Sequence, residues 1–156
     1  MKLAEALIER ADTQKRIAQL RERLSQNARV QEGEAVSEQP GDLMLEHARA
    51  IAAWLSLVQR INRTNAAARL VADDPADTRT LSDAIAERDA LRMRITGVEH
   101  LIAASAPPDV RYGRAEIRYL RTVDVRALRA ELDGLSRALR ELDTMIQARN
   151  WAVDLA

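Results

Sequence analysis

A chain of 156 residues with 47% hydrophobic and 31% charged side chains has the balance of a folded globular protein, not of a disordered or fibrous one. Basic and acidic residues number 24 each, so global charge gives no argument for nucleic acid or an anionic membrane as partner. Cysteine is absent, which excludes disulfides, thiolate metal centres and thiol nucleophiles.

Four segments carry helical periodicity, over about 3–27, 42–71, 80–105 and 124–150, within a single domain spanning 1–156. In the first, Leu3, Leu7, Ile17, Leu20 and Leu24 mark the apolar stripe. The second opens after Pro40-Gly41 with Asp42 as the expected N-cap, and its stripe reads Ile51, Leu55 and Val58. The third starts at 80-TLSD-83, which resembles a capping box, and runs through Ile85, Leu91, Ile95, Val98 and Leu101 to the stop at Pro107-Pro108. The fourth is the most regular. After Asp124, Val125, Leu128, Leu132, Leu135, Leu139, Leu142 and Ile146 alternate in steps of three and four, the seam of a coiled coil or long bundle helix, ~40 Å in length at ~1.5 Å per residue. The expected fold class is therefore all-α, an antiparallel bundle of four long helices.

Two segments break the helical pattern. The polar run 28-ARVQEGEAVSEQPGD-42 contains Gly33, Pro40 and Gly41, and 109-DVRYGRAEIRYLRTVDV-125 alternates as a strand would. An isolated strand is unstable, so a small two-stranded β ladder pairing about 28–33 with 116–123 is expected at one end of the bundle. At the opposite end, up-down-up-down topology gathers positions where the stripes turn polar: Arg10, Asn62 with Asn65, Arg88, and Arg149. Two uses fit such a layer. Asparagine and arginine can fix register and oligomeric state, with Arg10 or Arg88 paired to Glu9, Asp12, Glu87 or Glu141. Alternatively, Arg10, Asn62, Arg63, Asn65, Glu87 and Arg88 form a site for a small molecule or anion, since guanidinium suits carboxylate or phosphate and asparagine both donates and accepts.

Catalytic templates are poorly represented. His47 and His100 each follow a glutamate directly, Glu46 and Glu99, whereas a di-iron bundle needs Glu-x-x-His on one helix face. Each is read as a surface or boundary residue, with no metal and no cofactor expected. The run 111-RYGRAEIRYLR-121 offers Arg111, Arg114, Arg118 and Arg121 with Tyr112 and Tyr119, but Glu116 lies within it and no docking motif surrounds it, so nucleic acid is not an expected partner. The N-terminus has charges every few residues, unlike a secretory signal, and the longest nearly apolar run, 50-AIAAWLSLV-58, falls well short of the ~20 residues that span a bilayer. Stable membrane insertion is not expected, and the simplest location is the cytoplasm.

The segments 1-MKLAEALIERADTQKRIAQLRERL-24, 28-ARVQEGE-34, 60-RINRTNAA-67, 80-TLSDAIAERDALRMRI-95, 111-RYGRAEIR-118, 122-TVDV-125 and 140-RELDTMIQARNWAVDL-155 together resemble the septicolysin-like family of small bacterial helical proteins. That label implies a pore-forming, membrane-active protein. The residues themselves carry no pair of alternating apolar stretches of the ~9–11 residues per strand that a spanning hairpin needs. The leading expectation is a non-enzymatic helical protein that associates with itself as a homo-oligomer. A ligand-binding protein or enzyme using the polar layer is the second, and a membrane-active protein the third.

Overall fold

The computed structural model describes residues 1–106 and 120–156. Among them are four helices, α1 (Leu3–Gln26), α2 (Pro40–Ala67), α3 (Leu81–Ala104) and α4 (Val125–Ala152). The chain is all-α, and each helix lies within a few residues of its expected bounds. Two compact units are formed: residues 1–82 with 147–156, and residues 83–146.

The first unit is built on the α1–α2 hairpin. Leu20, Leu43 and Ala50 form a core cluster, with Ile17 and Leu24 packed against it. Arg16 of α1 pairs with Glu46 of α2 at 2.8 Å, so the helices run antiparallel, and facing residue numbers add to a little over 60. The α1 N-terminus is closed by Glu5, whose carboxylate accepts the Lys2 amide at 2.6 Å. Pro40 supplies the first residue of α2, with Gln39 at the cap and Asp42 inside the first turn. Proline costs nothing there because its missing N–H would have no helical partner, so the cap falls three residues earlier than the expected Asp42.

Chain ends and helix ends interlock in this unit. The Leu3 amide donates to Val153 O at 2.9 Å and the Leu155 amide to Met1 O at 3.0 Å, making an antiparallel bridge between Lys2 and Asp154. A second bridge, Arg69 with Thr80, pinches the connection between α2 and α3, with Leu70 N donating to Arg79 O at 2.8 Å.

In the second unit, α3 and α4 are also antiparallel, since Arg94 pairs with Glu131 and Arg92 with Asp143. Asp124 caps α4 by accepting the amides of Arg126 and Ala127 at 2.9 and 3.1 Å. Leu135, Leu142 and Ile146 of the expected seam are buried; Val125, Leu128, Leu132 and Leu139 are half-buried.

Residues 28–33 do not form the expected strand. They pass through a turn with Gly33 at φ +90°, a conformation open to glycine at little cost. The physical reason lies on either side. Asn27 donates to Arg23 O and accepts the Glu38 amide at 3.0 Å, and Arg23 holds the Glu38 carboxylate through two N–H groups, so the connection folds back on the end of α1. Of the opposing segment, 116–119 lie outside the described residues, as do Arg111, Arg114, Arg118 and both tyrosines; 120–123 pair with no strand among the described residues. Arg121 donates from Nε to Ser105 O at 3.1 Å.

Candidate functional site

The residues of α2 decide what faces inward. Buried or half-buried positions recur at Leu43, His47, Ala50, Trp54, Leu57, Ile61 and Thr64, alternating in steps of four and three. This seam packs toward α1. One residue later, and so ~100° round the helix, Met44, Ala48, Ile51, Leu55 and Val58 repeat the same alternation. Here the burial is of a different kind: Ile51 and Leu55 are 42% and 49% exposed, against 7% for Leu57 and 2% for Ile61. Met44, at 56%, extends the open face. A helix apolar on two faces normally has a partner on each.

Asn62 and Asn65 continue the open seam. Asn62 is exposed and Asn65 half-buried, and neither makes a side-chain hydrogen bond among the described residues. The inward slot at this height belongs to Thr64, 3% exposed, whose hydroxyl donates to Arg60 O at 3.0 Å and accepts the Ala156 amide at 3.0 Å. Arg60 donates from Nε to Ala156 O at 2.8 Å, completing a small polar closure that periodicity alone does not reveal. Its one sequence signal is a threonine in phase with Leu57 and Ile61.

The other candidate residues separate. Arg63 is exposed and Arg10 half-buried, each without an ion pair among the described residues. The register set by Arg16–Glu46 brings Arg10 opposite the middle of α2, roughly three helical turns or more before Asn62 and Asn65. Arg149 does not face a ligand either: its Nε donates to Arg69 O at 2.8 Å and so serves the pinched connection. In the second unit, Glu87 is exposed. Arg88 contacts Asp89 at 3.0 Å and Asp143 at 3.9 Å, and Arg92 reaches the same two carboxylates at 3.6 and 3.5 Å. This network engages Arg88 through Asp89 on its own helix and Asp143 across the hairpin.

Asp77 has a strongly perturbed carboxylate. Hydrogen bonds from Nε and Nη2 of Arg79, then the Arg79 amide and the nearby Arg69, lower its pKa to about 2. Arg69 also donates to the carbonyls of Asp74 and Asp77, so the cluster locks the loop. A groove of about 630 Å³ beside α2 places Arg16, Asp42, Glu46 and Arg49 over Leu45 and Ala50. Arg16 is neutralised by Glu46, and the remaining Arg49 and Asp42 are of opposite sign, so the groove favours no class of ion. Among the described residues, no cluster of three or more His, Asp or Glu could hold a metal, and no helix is long and apolar enough to cross a membrane. His47 is half-buried on the inward seam and His100 exposed. Trp54 Nε1 is buried with no acceptor from the described residues.

These features define an all-α protein in which, among the described residues, polar clusters tie down the backbone and α2 carries an exposed apolar face. The chain belongs to a family of unknown function, DUF6847, whose model matches residues 10–155. It is similar to a functionally unknown conserved protein from Corynebacterium diphtheriae, whose crystal structure superposes with a TM-score of 0.90 at 36% identity, covering 100% of this chain and 99% of that one. No curated protein matches. The resemblance to the septicolysin-like family is thereby overturned. The segments that suggested it lie almost entirely inside the DUF6847 match, and several are amphipathic helix patterns that bundle proteins share irrespective of descent.

Proposed function

We propose that this is a non-enzymatic, cytoplasmic helical protein that works by associating with itself as a homo-oligomer. The observation that supports this reading is the open seam of α2, with Met44, Ile51 and Leu55 each two-fifths or more exposed on one helix. Aligned apolar side chains on a helix mark an interaction surface far more often than scattered ones do. The antiparallel order inside each unit favours the bundle architecture in which such seams find partners. Coiled-coil packing of two such seams is the simplest way to cover them.

Charge reversal at the surface offers a direct test. Ile51→Asp leaves the seam facing α1 untouched and puts a carboxylate at the centre of the open one. Light scattering after size exclusion should give a multimer for the native chain and a monomer for the variant, with the melting temperature held within a few degrees. A native chain that stays monomeric throughout the micromolar range ends this reading.

A further inference from the structure

The open seam is not merely apolar; it is complementary to itself in one orientation. Measured from Ile51, Met44 lies seven residues before and Val58 seven after, and Ala48 three before and Leu55 four after. Two copies of α2 laid antiparallel about Ile51 therefore set small Ala48 against large Leu55, Met44 against Val58, and Ile51 against itself. Alternating small and large residues across facing positions is what lets two helices interdigitate without voids. A two-fold arrangement makes every such contact twice.

Charge selects the same orientation. From Met44 to Val58 the only charged side chains are Glu46 and Arg49, and both project from the other side of the helix, where they line the groove with Arg16. Asp42 and Glu46 occupy the first two turns, Arg60 and Arg63 the last two. Antiparallel pairing puts the acidic end of one helix beside the basic end of the other and opposes the helix dipoles. Parallel pairing sets like ends together.

Asn62 and Asn65 bound the register. Sliding the pair by about one heptad toward the C-terminus brings them against Ala48 and Met44 of the second copy. Burying an amide there without a hydrogen-bond partner is unfavourable. Centred on Ile51, both asparagines fall outside the contact and remain solvated. The apolar contact spans residues 44–58, ~21 Å of helix, a small patch beside the ~800 Å² per partner of a standard interface. Association is therefore weak, with dissociation in the micromolar range.

The geometry points to an isologous, antiparallel α2–α2 contact centred on Ile51 between two copies of this chain. This rests on the self-association proposed above and goes further by fixing the surface, the orientation and the register. The chain has no cysteine, so each introduced thiol is the only one. Ala48→Cys, Ile51→Cys and Leu55→Cys are made separately and oxidised, all at exposed positions where folding is checked by circular dichroism. Antiparallel pairing about Ile51 separates the two copies of residue 48 by ~9 Å along the axis and those of residue 55 by ~12 Å, beyond the ~7 Å limit between Cα atoms of a disulfide.

Ile51→Cys is expected to form a covalent dimer readily. Ala48→Cys and Leu55→Cys should each crosslink poorly alone and well when mixed. Self-crosslinking of all three, with no gain on mixing, overturns the orientation. A native dimer by light scattering in which Ile51→Cys stays uncrosslinked overturns the contact and leaves self-association standing. A strict monomer at concentrations on the order of 100 micromolar overturns both.

Discussion

Thr64 takes the inward place that the sequence pattern assigns near Asn62 and Asn65. The reason is a phase of one residue. Between Leu43 and Val58, α2 is apolar at two adjacent positions in nearly every turn, so steps of three and four can be traced along either seam. Periodicity establishes the helix but cannot choose between them; the choice is made by what α1 covers. Thr64→Val keeps the shape and removes both partners of the hydroxyl, leaving the Ala156 amide without its acceptor. A loss of roughly 1–2 kcal/mol in chemical denaturation is expected. Trp54→Phe should behave in the opposite way. It deletes a buried N–H that has no acceptor among the described residues, so stability should fall by less than ~1 kcal/mol, or rise. Asp77 adds a pH dependence with a definite sign. Its carboxylate is held below its unfolded pKa, so its stabilisation is complete above about pH 4 and fades as the pH falls toward about 2. Amide exchange in residues 69–80 should quicken over that interval in the native protein and show no such step in Asp77→Asn.

The helices themselves were largely legible, because their signals are local: Pro40 at a first turn, Asp124 at a cap, and an unbroken three–four alternation from Val125 to Ile146. The ladder was not, because the fate of 28–33 is set by bonds from Asn27 and Arg23 to Glu38, residues distant enough that no short pattern announces them. The candidate polar layer was legible as composition only. Arg88 finds Asp143 across the hairpin and Arg149 finds a backbone carbonyl, and neither partner can be read from spacing on one helix. The two seams of α2 separate cleanly under mutation. Ile61→Ala opens a cavity at a position 2% exposed and should cost ~2–5 kcal/mol, whereas Ile51→Ala should cost under ~1 kcal/mol in the isolated chain. Equal losses at both positions would mean that the second seam is already covered within one chain.

For the molecule as a whole, the proposed self-association rests on how its polar and apolar groups are distributed. Among the described residues, ion pairs bridge helices or close loops, the Thr64 hydroxyl ties down Ala156, and the perturbed Asp77 carboxylate is engaged by Arg79. An exposed apolar face also runs along α2, through Met44, Ile51 and Leu55. That is the surface a second copy would cover, and its modest size implies an equilibrium sensitive to concentration. The most direct measurement is sedimentation equilibrium of the native chain and Ile51→Asp across the micromolar range. Reversible dimerisation of the native chain, lost in a variant with the same melting temperature, is the predicted result. A native chain with the mass of a monomer at every concentration, or a variant that dimerises equally well, contradicts it.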